Sequence, residues 1–181
     1  FTSDHGEMIG DHGILGKTVM YEASVRVPML IRAPMLGREQ TVLGGNFSHI
    51  DLAPTIVDLL DQSVPERMQG RSRVPVMNGT EDLTDNDVFI EWSGRDGHIP
   101  ASIGEAEVNR SMGEPYRTVV TADRWKLNLY TRGQNELYDL NTDSNEMKNL
   151  IDTTVHNDRI QDLTDRIHRW REETGDRSPE Q

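Results

Sequence analysis

At 181 residues the chain has room for one ordinary domain or for the back part of a larger one. A net charge of −12 and a pI near 4.8 argue against a nucleic-acid surface, which needs clustered Lys and Arg, and read most simply as a solvated acidic exterior. With no cysteine there is no disulfide and no thiolate chemistry, and no apolar run approaches the length of a membrane span.

The chain opens FTSDHGEMIGDHGILGK, residues 1–17, in which Phe1-Thr2 reads as the tail of a strand followed by two acid–histidine–glycine triplets. VPMLIRAP, residues 27–34, is a short apolar run of strand formers closed by proline and predicts a buried strand. HIDLAPTIVDLLD, residues 49–61, carries Ile50, Leu52, Ile56, Leu59 and Leu60 at helical spacing, with Pro54 suited to the first turn and Asp51 to a cap. Strand followed by helix is the pattern of an α/β layer. Residues 69–87 are polar and turn-rich and suggest a boundary.

VFIEW at 88–92 is another strand candidate, and residues 93–115 show neither period and read as a long loop. YRTVVTADRWKLNLYTRGQNELYDL, residues 116–140, predicts an antiparallel meander with turns at TADR and TRGQNE. Trp125, Tyr130 and Tyr138 are expected to pack in that sheet. Residues 155–173 place Ile160, Leu163, Ile167 and Trp170 on one stripe, an amphipathic helix suited to lie on it.

The opening stretch carries the chemistry. In open α/β sheets, ligands bind beyond the carboxyl ends of strands, where FTSDHG would stand. Asp4 offers a hard carboxylate, His5 an imidazole nitrogen, and Gly6 a sharp exit. Two ligands do not make a metal site, so any ion held there needs donors from elsewhere. Lys17 can set a point charge beside an anionic substrate. The plainer alternative is that Asp4 simply caps a turn. Asp11-His12 is expected to be loop scaffolding, and Glu7 solvated.

TSDHGEMIGDHGILGKTVMYEASVRVPMLIRAP resembles the second signature region of the sulfatases, in the alkaline phosphatase superfamily. HIDLAPTIVDLL resembles the helix that follows in those enzymes, MQGRSRVPVMNG their next loop, and residues 116–151 their C-terminal subdomain, with Ser144 where proline is common. The likeness is collinear over nearly the whole chain. It implies the C-terminal part of an alkaline-phosphatase-like α/β/α sandwich, residues 1–80, followed by a small antiparallel-sheet subdomain with a C-terminal helix, residues 81–181.

Residue by residue, the resemblance implies that Asp4 and His5 coordinate a divalent cation, usually calcium, with magnesium or manganese as alternatives. Family members place Asn or His at the position of His5, and a nitrogen ligand is not calcium's preference. Lys17 would be both catalytic and substrate-binding, contacting a sulfate oxygen and offsetting charge as the S–O bond breaks. His98, in the long loop, is a candidate for facing substrate, as is Arg95. The family's nucleophile is a formylglycine hydrate made in a C/S-x-P-x-R motif near the N-terminus, expected upstream of this chain. Ser63 to Arg67 satisfies S-x-P-x-R but follows the helix, out of family order, and reads as a helix-exit loop.

The chain is therefore expected to be an incomplete portion of a metal-dependent sulfate-ester hydrolase, inactive alone, whose partner is the missing N-terminal part. Its substrate would be a sulfated small molecule or glycan, with no nucleic-acid or membrane partner. The alternatives are a phosphonate monoester or phosphodiester hydrolase of the same superfamily, and a non-catalytic binding or assembly domain. Family members are often periplasmic, secreted or lysosomal, and the sequence leaves localisation open.

Overall fold

The computed structural model describes residues 1–37, 39–94, 114–132 and 134–177. Among the described residues the elements are four α-helices, α1 (Glu22–Val25), α2 (Leu52–Leu59), α3 (Val74–Asn78) and α4 (Asn157–Thr174), and four strands. The strands are β1 (Val88–Trp92), β2 (Tyr116–Val120), β3 (Trp125–Tyr130) and β4 (Glu136–Asp139). Contacts group the chain into two units. One comprises Phe1–Leu30, Phe89–Val120 and Arg124–Gln181, and the other Ile31–Val88 and Thr121–Asp123.

In the first unit the strands stand in the order β1-β2-β3-β4. β2 and β3 run antiparallel with Val119 opposite Leu127, and β3 and β4 antiparallel with Leu127 opposite Leu137. Because side chains alternate along a strand, these three form one row on one face of the sheet. Helix α4 covers that row with Leu163 and Ile167, both fully buried, while Ile160 and Trp125 pack at its margin. Trp170 stacks on Phe89 with ring centroids 5.3 Å apart. The expected stripe is thus the observed one. The helix ends at Gly175 in the left-handed conformation, and Asp176 just beyond it accepts from Arg117 Nε at 2.6 Å and Nη2 at 2.8 Å. This two-point pair fastens the helix end to β2.

The opposite face is also buried, and it is polar. Lys126 and Asn128 of β3 are 0% and 1% exposed, with Tyr116, Thr118, Tyr130 and Tyr138 buried on the same side. Register lines up Thr118, Asn128 and Glu136 across three strands. The Thr118 hydroxyl donates to Asn128 Oδ1 at 2.6 Å, and Asn128 Nδ2 donates to Glu136 Oε2 at 2.8 Å. The opening segment covers this face: Tyr116 donates its hydroxyl to the Thr18 carbonyl and Lys126 its ammonium to the Met20 carbonyl.

In the second unit a 3-10 turn at His49–Asp51 leads into α2, with Pro54 in the first helical turn as expected. Asp51 stands at the cap position but its side chain caps nothing. Instead its carboxylate accepts from the Arg71 backbone N–H at 2.9 Å and from Arg73 Nε at 2.7 Å. Thr55 extends the link, donating to the Asp51 carbonyl and accepting from the Arg73 N–H. A Cβ on Gly70 would lie 1.9 Å from the Ile50 carbonyl oxygen, so the Arg71–Arg73 segment can approach α2 this closely only through glycine.

Three local expectations need correction. Residues 27–34 form no strand: Leu30 exchanges backbone hydrogen bonds with Phe1, but no ladder continues, and Leu30 and Ile31 are 60% and 41% exposed. An apolar run becomes a strand only where a neighbour pairs with it, and composition does not supply the neighbour. The polar stretch 69–87 is not all turn, since it contains α3 and buries Arg73, Val76 and Leu83. Along α2 and its two ends the apolar residues Ile50, Ile56 and Leu60 are exposed while Pro54 and Thr55 are buried. Residues 63–67 are irregular, closing with a turn from the Met68 N–H to the Pro65 carbonyl, in keeping with a helix-exit loop. Among the described residues, no helix is long and apolar enough to cross a membrane.

Candidate functional site

The site grows from the first residues of the chain. Phe1 and Leu30 exchange both backbone hydrogen bonds, at 2.6 and 2.8 Å, and the chain then bends at Asp4. The Ser3 hydroxyl lies between the His5 carbonyl at 2.7 Å and Asp4 Oδ1 at 3.3 Å, bracing the bend. Gly6 was expected to permit a sharp exit, but the reason for glycine is different. Its N–H donates to the Ser24 carbonyl at 2.7 Å, and a Cβ there would sit 2.0 Å from the Ala23 carbonyl oxygen. Contact with α1, and not a special backbone angle, excludes any side chain.

Residues 8–16 form a closed loop, its neck tied by the Met8 N–H donating to the Gly16 carbonyl at 2.9 Å. Met8, Ile14 and Val19 are buried together, with Tyr21 and Ala23 packed against them. This small apolar knot carries the chain out and back, so that Lys17 returns beside His5. His12, in the second acid–histidine–glycine triplet, stacks on Tyr21 at 3.9 Å, and its Nε2 meets the Asn145 carbonyl at 2.9 Å. It anchors the loop to the sheet unit and does not face Asp4.

Three of the expected site residues therefore converge. His5 Nε2 lies 3.2 Å from Asp4 Oδ2 and in contact with Lys17 Nζ. His5 Nδ1 is 2.7 Å from the Gly6 carbonyl, which can only accept, so Nδ1 carries the proton and Nε2 presents its lone pair. The Lys17 ammonium donates to that lone pair. The Asp4 carboxyl is held below its ordinary range, chiefly by the backbone N–H of His5, with its own backbone N–H and the Ser3 hydroxyl adding to the effect. The arrangement is an exposed carboxylate beside an imidazole whose Nε2 lone pair the Lys17 ammonium occupies. Glu7 is exposed, as expected. His98 and Arg95 lie outside the described residues.

Those donors suit a divalent cation in kind: a carboxylate already deprotonated and a nitrogen whose tautomer is fixed by its second ring atom. Among the described residues no third His, Asp, Glu or Cys joins them. One oxygen-bearing side chain is far short of the six to eight oxygens that calcium takes, so the pair can be only part of a coordination shell.

Beneath this surface lies a buried layer that the sequence did not announce. Lys126 Nζ donates to Glu22 Oε1 at 2.8 Å, to Glu146 Oε1 at 2.7 Å and to the Met20 carbonyl at 2.8 Å, using all three of its N–H groups. Glu146 Oε2 also accepts from the Glu22 backbone N–H at 2.5 Å. Burial nevertheless pushes the Glu146 carboxyl above its ordinary range, outweighing the Lys126 ammonium, and the Glu22 carboxylate adds a smaller push in the same direction. Beside it, Glu136 accepts from the hydroxyls of Tyr21 and Tyr130, and burial together with its charge drives the phenols of Tyr21, Tyr116, Tyr130 and Tyr138 upward. Alternation in WKLNLY marks Lys126 and Asn128 as sharing a face, but only the fold shows that this face is covered.

Comparison with known proteins follows the same lines. The N-sulphoglucosamine sulphohydrolase C-terminal family matches residues 10–173. The chain is 36% identical over 171 residues to an uncharacterized sulfatase, YidJ, of Escherichia coli, covering 93% of this chain and 30% of that protein. The solved structure of BT4656 in complex with its substrate D-glucosamine-2-N,6-O-disulfate superposes with a TM-score of 0.74 at 25% identity. That match covers 98% of this chain and 34% of that one. A phosphonate monoester hydrolase from Silicibacter pomeroyi superposes with a TM-score of 0.77 at 27% identity, over 98% of this chain and 35% of its own. The chain thus spans about a third of the length of these relatives. With the family matched over most of its residues and the fold shared with solved members, the chain belongs to the sulfatases of the alkaline phosphatase superfamily, as a C-terminal portion of that fold.

Proposed function

We propose that this chain supplies the metal-holding and charge-bearing half of an active site that hydrolyses sulfate esters. The observation that carries the proposal is the convergence of Asp4, His5 and Lys17 at the end of an exposed, braced bend. Asp4 and His5 would hold a divalent cation, calcium being the first candidate, together with donors from residues outside this chain. Once bound, such a cation supplies positive charge against the oxygens of an anionic ester. Lys17 would sit beside the same oxygens and stabilise the charge that develops on the ester oxygen as it departs. The bend and the loop neck hold the backbone that carries these groups, and a bound cation would take the His5 lone pair on which the Lys17 ammonium rests here, leaving that ammonium to turn to the substrate.

The nucleophile would come from residues outside this chain, with formylglycine as the expected group. Kinship with sulfatases supports a sulfuric ester as substrate, and the disulfated glucosamine bound by BT4656 supports a sulfated sugar among the candidates. Likeness to the phosphonate monoester hydrolase favours a second reading, because both chemistries act on an anionic tetrahedral ester and the same three residues serve either. Parallel assays of the full-length protein on para-nitrophenyl sulfate and on an aryl phosphonate distinguish them. Sulfate turnover exceeding phosphonate turnover in kcat/KM is expected, and the reverse ratio would transfer the assignment to the second reading.

A further inference from the structure

We propose that Ser24 is a positioning residue that sets Lys17 in register with the Asp4–His5 pair, an inference resting on the reading of Lys17 given above. Ser24 is 2% exposed and touches both limbs of the site. Its backbone carbonyl accepts from the Gly6 N–H at 2.7 Å, next to His5, and its hydroxyl donates to the Lys17 carbonyl at 2.5 Å. One residue of a single helical turn thereby ties the segment bearing the cation ligands to the segment bearing the ammonium.

The tie to Lys17 acts on the backbone. Holding the carbonyl of Lys17 fixes the peptide plane that leaves it, and with the preceding carbonyl, that of Gly16, held by the Met8 N–H at 2.9 Å, both planes flanking the Lys17 α-carbon are fixed and so is the direction in which its side chain departs. The helical turn that carries Ser24 is itself immobilised. The backbone N–H and carboxylate of Glu22 are bound by Glu146 and Lys126, and the Ser24 N–H donates to the Tyr21 carbonyl at 2.8 Å. Removing the hydroxyl leaves the Gly6 contact intact, since that contact uses only the backbone, and frees Lys17 alone. A lysine side chain is long and rotamer-rich, so a loosened origin spreads its ammonium over many positions.

A double-mutant cycle in the full-length protein tests this, read by kcat and KM on para-nitrophenyl sulfate and by Tm for each variant. Ser24→Ala is expected to lower kcat about tenfold, with KM within about twofold of wild type, as for an interaction realised mainly in the transition state. In a Lys17→Ala background the same change is expected to alter kcat less than about twofold, because nothing remains to position. Val25→Ala serves as the structural control. Its side chain packs against the Met20, Tyr116 and Tyr130 cluster, so it should lower Tm by at least as much while leaving kcat near wild type. The proposal is overturned if Ser24→Ala keeps wild-type kcat, or if it loses the same factor in both backgrounds. A Lys17→Ala protein with wild-type turnover would sink the reading of Lys17, and the positioning role with it.

Discussion

Gly6 and Lys17 show what single residues contribute. The carbonyl of Ala23 fills the space where a Gly6 side chain would begin, with the Ser24 carbonyl oxygen 3.2 Å away, so backbone and not a flexible side chain would have to move. Gly6→Ala should therefore destabilise the full-length protein by about 1–3 kcal/mol, as overpacking does, and separate the two limbs of the site. Urea unfolding and kcat measured together check this, and an unchanged midpoint would remove the close-approach explanation. Glu146 gives a pH prediction. Its carboxyl titrates above its ordinary 4.5 in the folded state, so the folded protein holds that proton more tightly than the unfolded chain does. Its contribution is fully present below 4.5 and is lost as pH rises through the elevated folded value. Stability of wild type relative to Glu146→Gln should accordingly fall with rising pH across that window, and a rising difference would contradict the burial argument. At this scale the sequence was legible where residues are adjacent: Asp4 and His5 were found because they are neighbours. Glu22, Lys126 and Glu146 were not, because they are brought together over sequence separations that no spacing rule encodes.

Elements divide in the same way. The meander and α4 were legible because period-2 and period-3.6 patterns each mark a face with a partner in the same unit. Leu163 sits at the centre of that contact with no exposed surface, so Leu163→Ala should cost about 2–5 kcal/mol in chemical unfolding, whereas a truncation at the exposed Val155 should cost little. Residues 27–34 and the outer face of α2 were misjudged because hydrophobic pattern states a need for burial without naming what supplies it. Asp51 was misjudged because carboxylates at helix starts usually cap. Here the stronger claim comes from Arg73, whose guanidinium binds Asp51 and also donates to Asn86 at 2.8 Å. Arg73→Met would leave the buried Asp51 carboxylate with only the Arg71 N–H, at an expected cost of about 3–5 kcal/mol. A loss below about 1 kcal/mol would show the pair to be structurally idle.

On the scale of the whole molecule, the chain brings Asp4, His5 and Lys17 together on an exposed bend and covers about a third of the length of its relatives. The family was legible from the run of motifs in order, which no isolated triplet could have supplied. Under the proposed function the nucleophile and the remaining cation donors would come from residues outside this chain, so the 181-residue chain assayed alone is expected to show no turnover of para-nitrophenyl sulfate. The central claim is that Asp4, with His5, holds the cation on which sulfate-ester hydrolysis depends. Its most direct test strips the full-length protein with a chelator, then follows para-nitrophenyl sulfate turnover as calcium is restored, in wild type and in Asp4→Ala. Wild type should regain activity at saturating calcium, while Asp4→Ala should stay lower by about a hundredfold or more. Equal recovery in the two proteins, or turnover indifferent to the chelator, would contradict the account.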